Sequence, residues 1–181
     1  AFEYCCCLEF VKFSTSLEYI GERAFYYCQS LTSIFIPPSC REIDECAFYD
    51  CTELIILHVP RHTQLGSGVI SRTALFKAFE ASPFADDYGS YNAERVNEWI
   101  KNLNQNEELA LHRECASFEP SEDNIYEIIK HQGLPSIHVK NQIGVTAFEY
   151  LQKNPYIDTA IDEHKLIKKL VLDLMGEIII T

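Results

Sequence analysis

Residues 24–60 read A-F-Y-Y-C-Q-S-L-T-S-I-F-I-P-P-S-C-R-E-I-D-E-C-A-F-Y-D-C-T-E-L-I-I-L-H-V-P. The phrase A-F-x-x-C-x-x-L opens at Ala24, opens again at Ala47, and already stands at Ala1 in A-F-E-Y-C-C-C-L. The step is 23 residues each time, so Phe2, Phe25 and Phe48 align, as do Cys5, Cys28 and Cys51, then Leu8, Leu31 and Leu54. Val11, Ile34 and Leu57 form a further column, and Phe13, Ile36 and Val59 another. Self-similarity at such a period is the mark of a solenoid. Ile34 and Ile36 alternate around Phe35, as in a half-buried strand. Pro37 and Pro38 stop that strand, because neither can donate to a ladder. Ile43 is the next apolar point, on a short return segment. One unit has no second face on which to bury this set, whereas stacked units bury it against one another.

The full unit L-T-S-I-F-I-P-P-S-C-R-E-I-D-E-C-A-F-Y-D-C resembles the BspA-like class of leucine-rich repeats. Asp44 stands where that family usually has Gly, a residue kept at Gly21, and Ser14 replaces the first Pro. The resemblance covers residues 1 to about 65 and implies a short solenoid that binds proteins or surface ligands without catalysis. The chain begins at Ala1 in mid-unit, which reads as a fragment with further coils upstream. Beyond Pro60 the A-F-x-x-C turn is missing, and Ser71 is expected to cap a helix over 72–79 that closes the stack.

The 181 residues carry a net charge of −12 and 47% hydrophobic residues. No basic stripe follows a phosphate backbone, which argues against nucleic acid and an anionic membrane surface. No run of 18 apolar residues exists, so no membrane insertion is expected. Of the eight cysteines, only Cys115 lies beyond residue 51. The column thiols read as small buried hydrophobes, favouring a reduced, intracellular (cytoplasmic) compartment over a disulfide framework. Cys40, Cys46 and Cys51 lack the short spacing of a zinc knuckle.

The stretch 82–91, with Phe84, Tyr88 and Tyr91, is expected to be a loop that packs down. Asn92 caps a helix from Ala93 to about Leu103, with Val96, Trp99, Ile100 and Leu103 as its apolar stripe. From Leu109 the phrases L-A-L-H-R-E-C-A-S, N-I-Y-E-I-I-K-H-Q-G-L and N-Q-I-G-V-T-A-F-E-Y-L resemble ankyrin repeats. The resemblance spans 109–154 and implies paired helices, with His112 bonding backbone in the inter-repeat turn. It departs at Leu109 and Glu149, and 118–124 should hold a longer loop. A last helix from Thr159 or Asp162 to about Met175 should cover the helical region.

The expected fold is α+β: a short leucine-rich-repeat solenoid with capping helix at 1–80, a loop and connecting helix at 81–108, and an all-α ankyrin-like region with capping helix at 109–181. His112 and Cys115, spaced H-x2-C, are the one arrangement that could suggest a Cys-His nucleophile, and the ankyrin position of His112 is the plainer account. No phosphate loop, G-x-S-x-G or H-E-x-x-H occurs. The expected function is a protein–protein interaction scaffold without cofactor or catalysis. Its rivals are an adhesive module of a longer repeat protein and a small enzyme. Binding is expected on the outward sheet positions Phe10, Lys12, Phe35, Ile56 and His58, which form an exposed strip. The competing account packs Phe10 and Phe35 against other coils or the helical region. The ankyrin resemblance adds Lys140, Asn141 and Gln142 as loop contacts.

Overall fold

The computed structural model describes residues 1–85, 92–103, 109–157, 165, 166, 168 and 169. Its first part is two small parallel sheets whose registers follow the repeat. Strand β2 (Ser33–Phe35) pairs β4 (Ile56–His58) with Ile34 opposite Leu57, one 23-residue step apart. On the return side, β1 (Tyr19–Ile20), β3 (Glu42–Ile43) and β5 (Gln64–Leu65) form a second ladder in that order. Tyr19 faces Glu42, but Glu42 faces Gln64, so the last step shortens to 22 residues.

The turns between units carry the strongest columns. Phe2, Phe25 and Phe48 stack nearly parallel, with centroids 5.3 and 5.4 Å apart. Beside them, the Cys28 thiol donates to the Phe2 carbonyl and the Cys51 thiol to the Phe25 carbonyl, each at 3.1 Å. Cysteine suits this slot because it is small, apolar and still a weak donor. All eight thiols are free; Cys28, Cys40, Cys51 and Cys115 are buried, while Cys5, Cys6 and Cys7 of the first unit are exposed. Each turn also holds left-handed residues: Tyr4, Tyr27 and Asp50 in one column, Arg23 and Cys46 in another, with φ between 53° and 63°. Such a conformation is unfavourable for a side chain with a Cβ. It persists because main-chain bonds to the next unit hold it, as from Phe25 N to Ala47 O at 2.8 Å and Tyr27 N to Tyr49 O at 2.9 Å.

A fourth turn is present although its sequence phrase is not. Residues 68–73, G-V-I-S-R-T, accept the same bonds from the unit before, with Phe48 N to Val69 O at 3.0 Å and Asp50 N to Ser71 O at 2.9 Å. Gly68 and Arg72 take the left-handed positions at φ 66° and 62°. Ile70 and Thr73 are fully enclosed where Phe and Cys stood before. This corrects the expected helix start. Ser71 and Arg72 are turn residues, and a left-handed Arg72 cannot begin a right-handed helix. Thr73 is the cap instead, accepting from Phe76 N, and α1 runs Ala74–Glu80.

Helix α2 (Ala93–Asn102) begins at Asn92, whose side chain accepts from Glu94 N and Arg95 N. Val96, Trp99, Ile100 and Leu103 are buried, with Trp99 edge-on to Phe79 at 5.3 Å. The Asn97 amide donates to Leu65 O at 2.9 Å and fixes α2 to β5. Together α1 and α2 complete the core of the stacked units. Phe84 is half exposed rather than packed down, and Tyr88 and Tyr91 lie outside the described residues.

The third part is helical: α3 (Ala110–Cys115), α4 (Glu122–Gln132), a 3-10 turn (Leu134–His138) and α5 (Ala147–Lys153). Ser121 caps α4, so the helix starts inside the expected 118–124 loop. Ile125 and Ile129 are buried, and Gly133 ends the helix at φ 83°. Glu149 accepts from Thr146 N at 2.6 Å while Thr146 caps α5, a reciprocal pair that satisfies two helix-end donors. Residues 165, 166, 168 and 169 are helical with Leu166 buried, and the rest of the expected last helix lies outside the described residues.

Phe48 sits at 0% exposure in the middle of the turn stack. Phe48→Ala is expected to cost about 3–5 kcal/mol, read from the urea midpoint, whereas a loss under about 1 kcal/mol would mean the aromatic column is not part of the core.

Candidate functional site

The outward sheet positions do not form one exposed strip. Side chains alternate along β2 and β4, so Ile34 and Leu57 enter the core of the stacked units while Phe35 and Ile56 face the other way. That other face is covered. Phe35 and Ile56 are each 1% exposed, in a second core with Leu111, Cys115, Phe148 and Leu151 of α3 and α5. The Tyr150 ring stands edge-on to Phe35 at 6.4 Å. The expectation that both side chains are free for a partner is therefore corrected, in favour of packing on the helical region. The physical reason is that a parallel sheet is stable with both faces buried.

His58 follows Phe35 in the same column, with ring centroids 6.4 Å apart. Its surface is half-buried, but it lies deep among protein atoms, and desolvation pushes its imidazole down to about 4. It is a packing residue rather than a cation offered to solvent. Asn141 is also corrected. It is 7% exposed, its carbonyl accepts from Ile143 N and Val145 N, and its amide donates to the Tyr150 hydroxyl. These bonds close the 140–146 loop from inside and leave Lys140 and Gln142 exposed at its surface. Gln142 lines a groove with Phe84 and Ile143, away from the sheet positions.

The H-x2-C pair is held apart from any nucleophilic role by its surroundings. His112 is enclosed, with Nε2 3.0 Å from Val145 O, and burial lowers its pKa. Burial pushes the Cys115 thiol up to about 12, so it is neutral at ordinary pH. Among the described residues, no three His, Cys, Asp or Glu side chains come together to hold a metal, and no helix is long and apolar enough to cross a membrane.

Phe10 and Lys12 have a different fate, set by a residue that the repeat does not reveal. Asn154, after α5, donates to Ser117 O at 2.7 Å and accepts from Tyr156 N at 3.1 Å. This places the Tyr156 hydroxyl against the first unit, where it accepts from Phe13 N at 3.1 Å and lies 3.3 Å from Phe13 O and 3.4 Å from Phe35 O. One step later, Ile36 N donates directly to His58 O at 2.9 Å. Tyr156 thus takes the place of the equivalent bond between the first and second units. Upstream, the contact from Thr32 N to Glu9 O is long, at 3.5 Å. Residues 8–13 accordingly form no strand, contrary to the alternation of Val11 and Phe13. The splayed first unit leaves Phe10 70% exposed beside a groove of about 400 Å³ that Lys12, Thr32 and Lys153 also line. Lys12 Nζ lies 5.7 Å over the Tyr156 ring, and Lys153 Nζ donates to Thr32 Oγ1 at 3.3 Å.

Residues 1–86 match the family described as "BspA type Leucine rich repeat region (6 copies)". The matched part is the set of stacked turns and parallel strands together with α1, and the chain combines it with further helices in an α+β whole. No curated protein and no solved structure matches the chain.

Phe35→Ser and Ile56→Ser each remove a large apolar group from a closed core and leave a hydroxyl there. Each is expected to cost roughly 3 kcal/mol or more in urea denaturation, and wild-type stability in either would mean that the helices do not cover the sheet. His58 generates a pH prediction. Its folded pKa of about 4 lies below the unfolded value of about 6.5, so the unfolded chain binds more protons between those values. Its contribution is whole above pH 6.5 and is lost as pH falls toward 4. His58→Gln should flatten the acid arm of the stability curve in that window, by at most about 1.4 kcal/mol per pH unit. An unchanged slope would mean that the ring is solvated.

Proposed function

We propose that the chain is a non-catalytic protein–protein interaction scaffold. It reads as a short leucine-rich-repeat solenoid with its capping helix at 1–80, a connecting segment at 81–108 and an ankyrin-like helical region at 109–181. The solenoid reading rests on the constant register of β2 with β4 and on the stacked Phe column. The ankyrin-like reading rests on the packing of α3 against α4 and α5, and on the His112–Val145 bond from α3 to the loop before α5. Leucine-rich repeats commonly serve in protein interaction or adhesion, and catalysis is not typical of them.

The observation that carries the proposal is the exposure of Phe10. Of the outward apolar positions on the sheet side, Phe35 and Ile56 are consumed by packing, and Phe10 keeps its ring in solvent at the edge of a groove. An exposed aromatic next to a concavity is the form that an interface anchor takes. Lys140 and Gln142 are a second contact region under the same reading, on the exposed surface of their loop.

Proteins captured by the immobilised full chain from extract of its source, compared with those held by a Phe10→Ser variant, test this. A specific partner should lose about thirtyfold in affinity, the loss of one interface anchor, while the melting temperature stays within a degree or two. A partner that binds the variant as well as the wild type would move the binding face away from the first unit.

A further inference from the structure

The edge of β2 that faces the first unit lacks its ladder bonds. The register with β4, with the flanking bonds from Ile56 N to Thr32 O and from Ile36 N to His58 O, turns Ile34 toward β4. Neighbouring residues of a strand alternate their main-chain groups between its two edges, so Ser33 and Phe35 address the first unit. One 23-residue step before the β2–β4 ladder, the matching bonds would run from Ser33 N to Glu9 O, Val11 N to Ser33 O, Phe35 N to Val11 O and Phe13 N to Phe35 O. Among the described residues none of the four forms. The gap is crossed by the long Thr32 N to Glu9 O bond at 3.5 Å, and the Phe13 N–H goes to the Tyr156 hydroxyl. Yet Ser33 and Phe35 are buried, where a main-chain donor without a partner is rare and costly. The obstacle is small. The Tyr156 hydroxyl lies 3.1 Å from Phe13 N and 3.4 Å from Phe35 O, so one oxygen fills the interval that a direct bond would close. Its ring packs on Phe118, with centroids 3.9 Å apart. Val11 and Phe13 already lie against the core of the stacked units, so the first unit needs no reversal of faces to pair.

We infer that the first unit has two positions: an open one wedged by the Tyr156 hydroxyl, and a closed one in which residues 9–13 join β2 as a third parallel strand. Closing exchanges the hydroxyl's contacts for the four missing ladder bonds and satisfies the enclosed N–H groups of Ser33 and Phe35. Val11 and Phe13 keep their places in the columns of Ile34 and Ile36. Phe10 belongs to the column of Ser33 and Ile56, so pairing turns it onto residues 152–155 and into the groove that it borders when open. The exposure of Phe10 is therefore set by Tyr156. The consequence for binding rests on the scaffold reading above. A partner seated on Phe10 holds the first unit open, because a ligand shifts a population toward the state it binds, and closing withdraws the anchor.

The test follows amide hydrogen exchange by NMR in the full chain and in Tyr156→Phe, which keeps the ring and removes the hydroxyl. The amides of Val11, Ser33 and Phe35 should gain protection by about tenfold or more in the variant, while those of Ile36 and Ile56 stay as they were. Val11→Pro removes a donor that the closed position alone uses, and adding it to Tyr156→Phe should cancel the gain. A Phe10→Trp reporter should shift its emission to shorter wavelength when Tyr156→Phe is added, as the ring leaves water. Unchanged or weaker protection at Ser33 and Phe35, with Ile36 and Ile56 intact, would overturn the two positions. Loss of protection at Ile36 and Ile56 would overturn them as well, because the hydroxyl would then be a staple of the fold and not a wedge. Closure is read without a partner, so its failure leaves the scaffold reading standing. Closure in Tyr156→Phe with partner capture unchanged would support the two positions and overturn Phe10 as the anchor.

Discussion

The β2–β4 pair is the constraint on which the rest of the structure depends. Two three-residue strands alternate their side chains between two interiors, so one short ladder is shared by two cores. Ile34 and Leu57 tie it to the stacked turns, and Phe35 and Ile56 tie it to α3 and α5. Parallel pairing of this length is weak alone, and burial on both faces is what makes it stable. The stacked units and the helices therefore do not behave as an open module with an appendage. Each supplies the surface that the other must bury.

The turn side of the repeat shows a second balance. Left-handed Tyr4, Tyr27 and Asp50 put strain into every unit, and the fold places them in register rather than avoiding them. The stacked Phe rings, the thiol-to-carbonyl bonds and the main-chain bonds between turns offset that cost together. Where the sequence phrase ends, the geometry continues with Gly68, Ile70, Arg72 and Thr73, because main-chain bonding from the preceding turn dictates it. Thr73 then serves two elements, filling the cysteine position and capping α1.

Tyr156 links this architecture to the exposed edge of the first unit. A single hydroxyl placed by Asn154 substitutes for a ladder bond and holds the first unit away from the second. The same replacement keeps Phe10 in solvent and forms the groove with its two lysines. The exposed Phe10 and its groove thus arise where the repeat is interrupted, not where it is most regular.

The repeat itself was legible without coordinates. The 23-residue step determines which residues share a column, and hence the register of β2 with β4 and the Phe and Cys stacks. The local code likewise determines the Asn92 cap and the stripe of α2, because capping and 3.6-residue periodicity act over a few neighbours. What lay beyond it was decided by partners distant in sequence. Alternation marks Phe35 and Ile56 as outward, but only α3 and α5 decide that outward means buried. Likewise, Phe10 shares its column with buried Ile56 but lies at the edge of a groove where the first unit meets residues 152–155, not under α3 and α5. Periodicity reports which face a side chain takes, while its exposure depends on what the rest of the chain places over that face.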